Sequence, residues 1–170
     1  LTGNADTATT AATVTTGAQP NIDSIGTDGD TLSILSDQVI HSNSTGSTPV
    51  FQLRSNADDT DGGYVRFMKV RTDTTTQAGE DNDKIGTIDF WGYDDGPSLH
   101  TYAKIYADIH DATDGEESGR LTFQVGNHDG GVGSGLILTG GSADNEIDVT
   151  LGLGAASVVT IPGDIDLAGD

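Results

Sequence analysis

The sequence predicts an all-β protein made of short antiparallel strands, and three observations indicate this fold class. First, apolar and polar residues alternate in a series of short runs, as they do in strands with one buried side. Second, turn pairs such as Asp-Gly and Gly-Gly separate these runs, and the chain contains 24 glycines. Third, no window long enough for a stable helix has a clear helical period.

Six strands are expected in chain order. They cover residues 50–55, 64–70, 84–93, 102–109, 120–125 and 136–139. In the third strand, Ile88 and Phe90 share the side expected to face a core, so Trp91 and Tyr93 point to the other side. The fourth strand also has a weak helical alternative, because alanines recur within it.

Composition divides the chain into three regions. Residues 1–48 form a low-complexity connector with short strands, residues 49–141 form a β-rich head domain, and residues 142–170 begin a repetitive β-shaft that is cut short. The shaft is inferred from IDVT at 147–150 and IDLA at 165–168, which share an apolar-Asp-apolar-small spacing.

The charge balance excludes several classes of partner. The net charge is -20 with only seven Lys and Arg residues, so no nucleic acid partner is expected, because phosphate contacts need basic side chains. No membrane insertion is expected, because no apolar run approaches the ~20 residues of a spanning helix. The absence of cysteine excludes disulfides and thiolate metal sites. Such acidity is typical of proteins in a salty or extracellular medium.

Large apolar residues are too few for one chain to form a hydrophobic core of ordinary size by itself. Leu, Ile, Val and Phe together make up roughly 22% of the chain, close to the level at which highly charged chains stop folding alone. Strands with one apolar side and open edges aggregate as single chains, whereas a closed symmetric assembly buries those sides and pairs those edges. The sequence therefore predicts that copies of the chain share a core.

Several segments carry a combined pattern of strands and acidic, glycine-rich turns. They are KIGTIDFWGYDDG at 84–96, YAKIYADIHDATDGEESGRLTFQVGNHDG at 102–130, GLILTGG at 135–141, SVVTIPGDIDLAGD at 157–170 and the opening LTGNADTATTAAT at 1–13. Together they resemble the tail-fibre proteins of tailed bacteriophages, especially marine and environmental phages. The resemblance implies an elongated homotrimeric fibre on the virion, outside the cell, whose C-terminus continues into further shaft or a chaperone domain.

The function implied by this resemblance is host-cell recognition and attachment without catalysis. The expected partners are two further copies of the chain, a host cell-surface glycan or protein, and other virion tail proteins; three weak sites on one head bind firmly through multivalency. A polysaccharide-degrading tailspike fragment and a structural extracellular filament without a ligand are the alternatives. The chain lacks G-x-S-x-G, H-E-x-x-H and a cysteine nucleophile, and carboxylate pairs arise by chance among its 27 acidic residues.

One cluster of residues fits a sugar-binding patch. An outward-facing aromatic pair beside two carboxylates offers stacking surface and hydrogen-bond acceptors. The candidate residues are Trp91, Tyr93, Asp94 and Asp95. Packing against another subunit is the alternative use of the aromatic pair.

Two acidic turns are candidate calcium sites, because calcium takes several hard oxygen ligands from one loop. The candidate ligands are Asp58, Asp59, Asp61, Asp111, Asp114 and Glu116. Neither turn matches the calcium loop D-x-[DN]-x-[DN]-G-x5-E, and Asp-Gly is also an ordinary turn pair. No cofactor is therefore expected, with calcium as the alternative.

The histidines do not form a metal motif. His41, His100, His110 and His128 are never at ligand spacing along the chain. They are interpreted as exposed loop residues, although a trimer axis would bring together three copies of any one of them.

Overall fold

The computed structural model describes residues 48–56, 58, 60–72 and 77–166. The chain separates into two compact units, Leu1–Gln52 and Leu53–Asp170. Of the first unit only residues 48–52 are described; they are exposed and lie in no strand. The connector predicted at 1–48 therefore lies almost entirely outside the described residues. In the described residues there is no helix of the length and apolarity needed to cross a membrane.

The second unit is built around one antiparallel sheet, which has five strands within the described residues. The strands are β1 (Lys84–Tyr93), β2 (Leu99–Asp111), β3 (Ser118–Gly126), β4 (Val132–Gly140) and β5 (Ile147–Leu151). Each strand pairs with the next strand along the chain. No described residue is helical, so the all-β prediction is confirmed for this part of the chain and the helical alternative for 102–109 is wrong.

Tight turns place the connections at two ends of the sheet. Because each hairpin reverses the chain, the turns at 94–98 and 127–131 lie at one end, and those at 112–117 and 141–146 lie at the other. Gly130 has a φ of +84°, a left-handed conformation that a side chain disfavours. The Asp-Gly and Gly-Gly pairs in the sequence thus mark true reversals of the chain.

One side of the sheet is apolar from edge to edge. One cross-strand row consists of Ile88, Ile105, Phe123, Leu136 and Leu151. The parallel row two residues away consists of Gly86, Ala107, Leu121, Leu138 and Val149. Side chains alternate along a strand, so both rows lie on the same side. We call this side the apolar face.

The opposite side, here called the polar face, is made mostly of hydroxyl and charged side chains, with Ile137 as an exception. Its central row consists of Thr87, Tyr106, Thr122, Ile137 and Thr150. Ion pairs flank this row: Lys104 Nζ lies 3.5 Å from Asp89 Oδ1. Arg120 Nη2 lies 3.1 Å from Asp108 Oδ2, and its Nε lies 3.0 Å from Oδ1, an ion contact without an aligned hydrogen bond.

The burial of this sheet is inverted relative to an ordinary domain. Among the described residues no apolar side chain is buried, and the two buried side chains are polar: Asp108 at 2% and Thr122 at 1% exposure. Apolar-face residues are half-buried in the three central strands and exposed in the two edge strands, with Phe90 at 50% and Val149 at 59%. Within the described residues no second sheet or helix therefore packs across the apolar face, although the Phe67 side chain covers it at Gly86.

Two of the predicted strands do not form within the described residues. Residues 50–55 and 64–70 have no strand pairing there, because an alternating pattern needs a partner backbone before it becomes a ladder. The second segment and Arg71 just after it instead lie against the beginning of β1. The Phe67 ring rests where a Cβ of Gly86 would be, and Arg71 donates hydrogen bonds to both carboxylate oxygens of Asp83 at 2.6 and 2.7 Å.

Candidate ligand-binding end

Exposed aromatic side chains lie near the 94–98 turn on both sides of the sheet. Trp91 and Tyr93 are 57% and 70% exposed near the end of β1, and Tyr102 is 50% exposed near the start of β2. Two Tyr102 ring carbons lie 3.2 and 3.3 Å from where a Cβ of Gly92 would be. The absence of a side chain at Gly92 therefore makes room for the Tyr102 ring, which lies on the side of the sheet opposite to Trp91 and Tyr93 because side chains alternate along a strand. We call these three aromatics and the adjoining turn the aromatic end.

Asp94 organises the turn next to these rings. Its Oδ1 accepts hydrogen bonds from the backbone N–H groups of Gly96 at 2.9 Å and Ser98 at 2.7 Å. Its Oδ2 lies 3.1 Å from Nε2 of His100. The hydrogen bond from Ser98, followed by those from His100 and Gly96, lowers the pKa of Asp94 below its ordinary value. Asp94 is therefore an ionised residue that holds the turn in shape.

Asp95 is the carboxylate of this turn that is left for a ligand. It is exposed and accepts no hydrogen bond from the described residues. His100 also borders the turn, and its Cε1 lies 3.8 Å from where a Cβ of Gly130 would be, so the 94–98 and 127–131 turns meet at this imidazole. Rings for stacking, a carboxylate acceptor and an imidazole thus lie at one end of the sheet.

The four predicted patch residues lie near each other in the structure, as they do in the sequence. Trp91 and Tyr93 stand two residues apart on β1, about 7 Å along a strand, and Asp94 and Asp95 begin the turn that follows. Two further residues of this end were not predicted, Tyr102 and His100. One sequence feature could have indicated where the Tyr102 ring packs: Gly92 is a small residue in an otherwise aromatic stretch.

No protein-family model and no curated protein matches this chain.

Carboxylates dominate the opposite end of the sheet. The turns at 112–117 and 141–146 enclose an open trough of about 800 Å³. Its acidic residues are Asp111, Glu116, Glu117, Asp144, Glu146 and Asp148. We call this feature the acidic trough.

Several trough carboxylates hold their own turns. Asp111 Oδ1 accepts the Thr113 N–H at 2.8 Å, which lowers the pKa of Asp111. Glu117 Oε1 accepts the Gly115 N–H at 3.2 Å, and backbone N–H groups, that of Glu117 first, lower its pKa. Within the described residues, no three His, Asp or Glu side chains converge as a metal site requires.

The predicted calcium ligands are spread over separate places. Asp111 and Glu116 line the acidic trough, and Asp114 is exposed in the turn beside it. Asp58 and Asp61 are exposed and do not line the trough, while Asp59 lies outside the described residues. Calcium binding stays a prediction.

Two histidines lie in a strand, so their interpretation as loop residues is wrong. His100 and His110 both belong to β2, which is longer than predicted because it pairs along its length with β1 and β3. His110 Nδ1 lies 3.0 Å from Ser118 Oγ. His128 lies in the 127–131 turn, and His41 is outside the described residues.

Proposed function

We propose that this chain is a non-enzymatic module of a bacteriophage tail fibre, acting outside the host cell as a homotrimer that attaches the virion to a cell-surface glycan or protein. Copies associate through the apolar face, and each copy contributes one aromatic end to receptor binding. Other virion tail proteins join the module to the particle. No catalytic step is part of the proposal.

The observation that carries this proposal is the open apolar face. The two five-strand rows and the shorter row of Phe90, Ala103 and Val125 beside them, at about 4.8 Å between strands and 3.4 Å per residue, cover on the order of 400 Å² in projection. An apolar patch of this size marks an interaction surface on a soluble protein. A net charge of -20 opposes self-association elsewhere, whereas the two central rows of this face carry no charged side chain.

The aromatic end supports receptor binding by the same assembly. Exposed Trp and Tyr rings stack on the apolar faces of sugars, and Asp95 can accept hydrogen bonds from sugar hydroxyls. A single shallow site of this kind binds weakly. Three such sites on one rigid head raise the effective concentration of the second and third contacts, so weak affinities combine into firm adsorption.

The assembly is tested by absolute mass from light scattering on a size column, with and without a calcium chelator. The expected mass is three times 17.5 kDa, unchanged by chelation. A stable monomer at all concentrations would contradict the proposed function. A trimer that dissociates on chelation would keep the fibre and add calcium to it.

Receptor binding is tested by adsorption of the labelled protein to host cells. We expect Trp91→Ala and Tyr93→Ala each to reduce adsorption at least tenfold, because multivalency amplifies a small loss per site. Tyr64→Ala is the control, since Tyr64 is also exposed but lies outside the aromatic end. Equal adsorption by all three variants would remove the aromatic end from the proposal, and release of reducing sugar would favour the tailspike alternative.

A further inference from the structure

The last strand of the sheet has an open edge with little protection. All five residues of β5 are exposed, including Ile147 at 62%, Val149 at 59% and Leu151 at 51%. In the described residues β5 pairs only with β4, so every second residue of β5 presents unpaired backbone groups outwards. Its only charged residue is Asp148.

The other edge of the sheet is protected. The pairing of β1 contains register shifts between Lys84 and Gly86 and between Phe90 and Trp91, whereas that of β5 contains none. Bulges twist an edge and disrupt its row of donors and acceptors, which discourages strand addition. The Arg71–Asp83 ion pair also lies at the start of β1. The two edges therefore differ, and β5 is the one suited to accept a strand.

A strand-like segment without a backbone partner follows β5. A turn closed by the hydrogen bond from Ser157 N–H to Gly154 O, at 2.9 Å, redirects the chain. Beyond it, residues 158–166 are exposed and form no backbone hydrogen bond with any described residue. Val158 is 84% exposed, Val159 51% and Ile161 50%. We call residues 157–161 (SVVTI) the arm.

The arm has the composition of a β-strand, and a proline follows its last residue. Val, Thr and Ile favour the extended conformation, and Pro162, which lacks an N–H, ends the run. The arm and the following Pro162-Gly163 carry no charge. The chain has a net charge of -20, but β5 carries one charge and the arm carries none. Two copies can therefore meet at these segments with little electrostatic repulsion.

We propose that the arm of one copy adds as a further strand to the open edge of β5 in a second copy. Main-chain hydrogen bonds supply the attraction, and the alternating Val159 and Ile161 side chains extend one side of the sheet by a further strand. In a closed ring of copies each chain gives one arm and accepts one, so no arm and no β5 edge is left over. This inference rests on the proposed function only in requiring that copies associate.

The test uses the absence of cysteine from the chain. Thr160→Cys and a size-tagged Thr150→Cys chain are co-expressed and treated with a short bismaleimide. The control pairs Thr160→Cys with size-tagged Thr87→Cys. Thr150 and Thr87 are exposed and lie in the same cross-strand row at the two opposite edges of the sheet. We expect at least five times more mixed product with Thr150 than with Thr87.

Two further variants make the outcome decisive. Val159→Pro removes a backbone N–H of the arm and is expected to lower the mixed product at least fivefold, whereas Val159→Ala keeps the N–H and most of the product. Equal linking to both edges would overturn the inference, and so would a Thr150→Cys, Thr160→Cys double variant that links only within single chains. If the mass still shows a trimer, the proposed function survives that result; a monomeric mass removes both.

Discussion

Asp83 and Arg71 form the strongest ion pair of the described residues by geometry. The guanidinium donates to both carboxylate oxygens, and Arg71 Nη1 also lies 3.1 Å from Glu80 Oε1. These hydrogen bonds from Arg71 lower the pKa of Asp83 to about 2 from 3.8. The pair ties residue 71 to the start of β1, and with it the segment that carries Phe67.

The pKa of Asp83 predicts a specific loss of stability in acid. As the pH falls, the unfolded chain takes up a proton on this carboxyl near pH 3.8, whereas the folded chain resists until about pH 2. The contribution of Asp83 to stability is therefore complete above about pH 5 and is lost as the pH falls through 3.8 towards 2. Denaturant unfolding at several pH values should show that Asp83→Asn is less stable than the parent at pH 7 and loses less over this acid range. Asp95→Asn removes the same charge from an exposed turn and should follow the parent; parallel curves for all three proteins would contradict the assignment.

Gly86 is predicted to be intolerant of a side chain. Cβ and Cγ of Phe67 lie 2.5 Å from where a Cβ of Gly86 would be, so Gly86→Ala must displace the ring from the sheet. We expect a loss of about 1–3 kcal/mol in the free energy of unfolding. Gly133→Ala is the matched control, because no atom lies within 4 Å of its new Cβ. Equal midpoints for the two variants in denaturant would show that Phe67 does not rest on β1.

At the scale of single residues, the sequence predicted the turns but not which side chains contact each other across strands. Asp-x-Gly sequences mark turns in which the Asp side chain binds the backbone two residues on, and Asp94 does so with Gly96. The same residue was expected to contact a ligand, a use that its occupied oxygens disfavour. Nothing in the one-dimensional pattern places His100 beside Asp94 or Tyr102 over Gly92, because both contacts depend on the register of β1 with β2.

At the scale of elements, alternation predicted the central strands well. β1 matches the predicted range 84–93, and the predicted 120–125 and 136–139 lie within β3 and β4. Alternation failed at 50–55 and 64–70, because it records which residues share a side and not whether a partner backbone is near. It also gave no reason to join β5 to the sheet, since the short run 147–151 was assigned to a separate shaft, whereas it pairs with β4.

The turn before β5 depends on Glu146. Its Oε2 accepts hydrogen bonds from the N–H groups of Ser142 at 2.8 Å and Ala143 at 3.0 Å. We expect Glu146→Ala to cost about 0.5–1 kcal/mol, because the turn is exposed and water replaces part of the lost bonding. Hydrogen exchange should show faster exchange in β5 with little change in β2. Asp144→Ala in the same turn is the control, and unchanged protection of β5 in Glu146→Ala would contradict this role.

For the whole molecule, the decisive contrast is between the two sides of the sheet. Phe123 lies in the middle of the apolar face, and Thr139 lies on the polar face in the neighbouring strand. Phe123→Asp should lower the absolute mass to that of a monomer at micromolar concentration, because a charge buried at a shared core has no partner. Thr139→Asp adds the same charge and should leave the mass unchanged. An unaltered mass in Phe123→Asp would place the contact between copies somewhere other than this face.

The odd number of strands in the described sheet has a consequence for how the module fits into a longer polypeptide. Four reversals separate β1 from β5, so the two outer strands run in the same direction. The chain therefore enters the sheet at the acidic-trough end and leaves it beside the aromatic end. Units with this topology can follow one another along a polypeptide without the chain reversing between them. In an even-stranded meander the chain enters and leaves at the same end, so such a reversal is needed. Insertions or deletions of whole hairpins would preserve this through-going path, and those of a single strand would turn the chain back on itself.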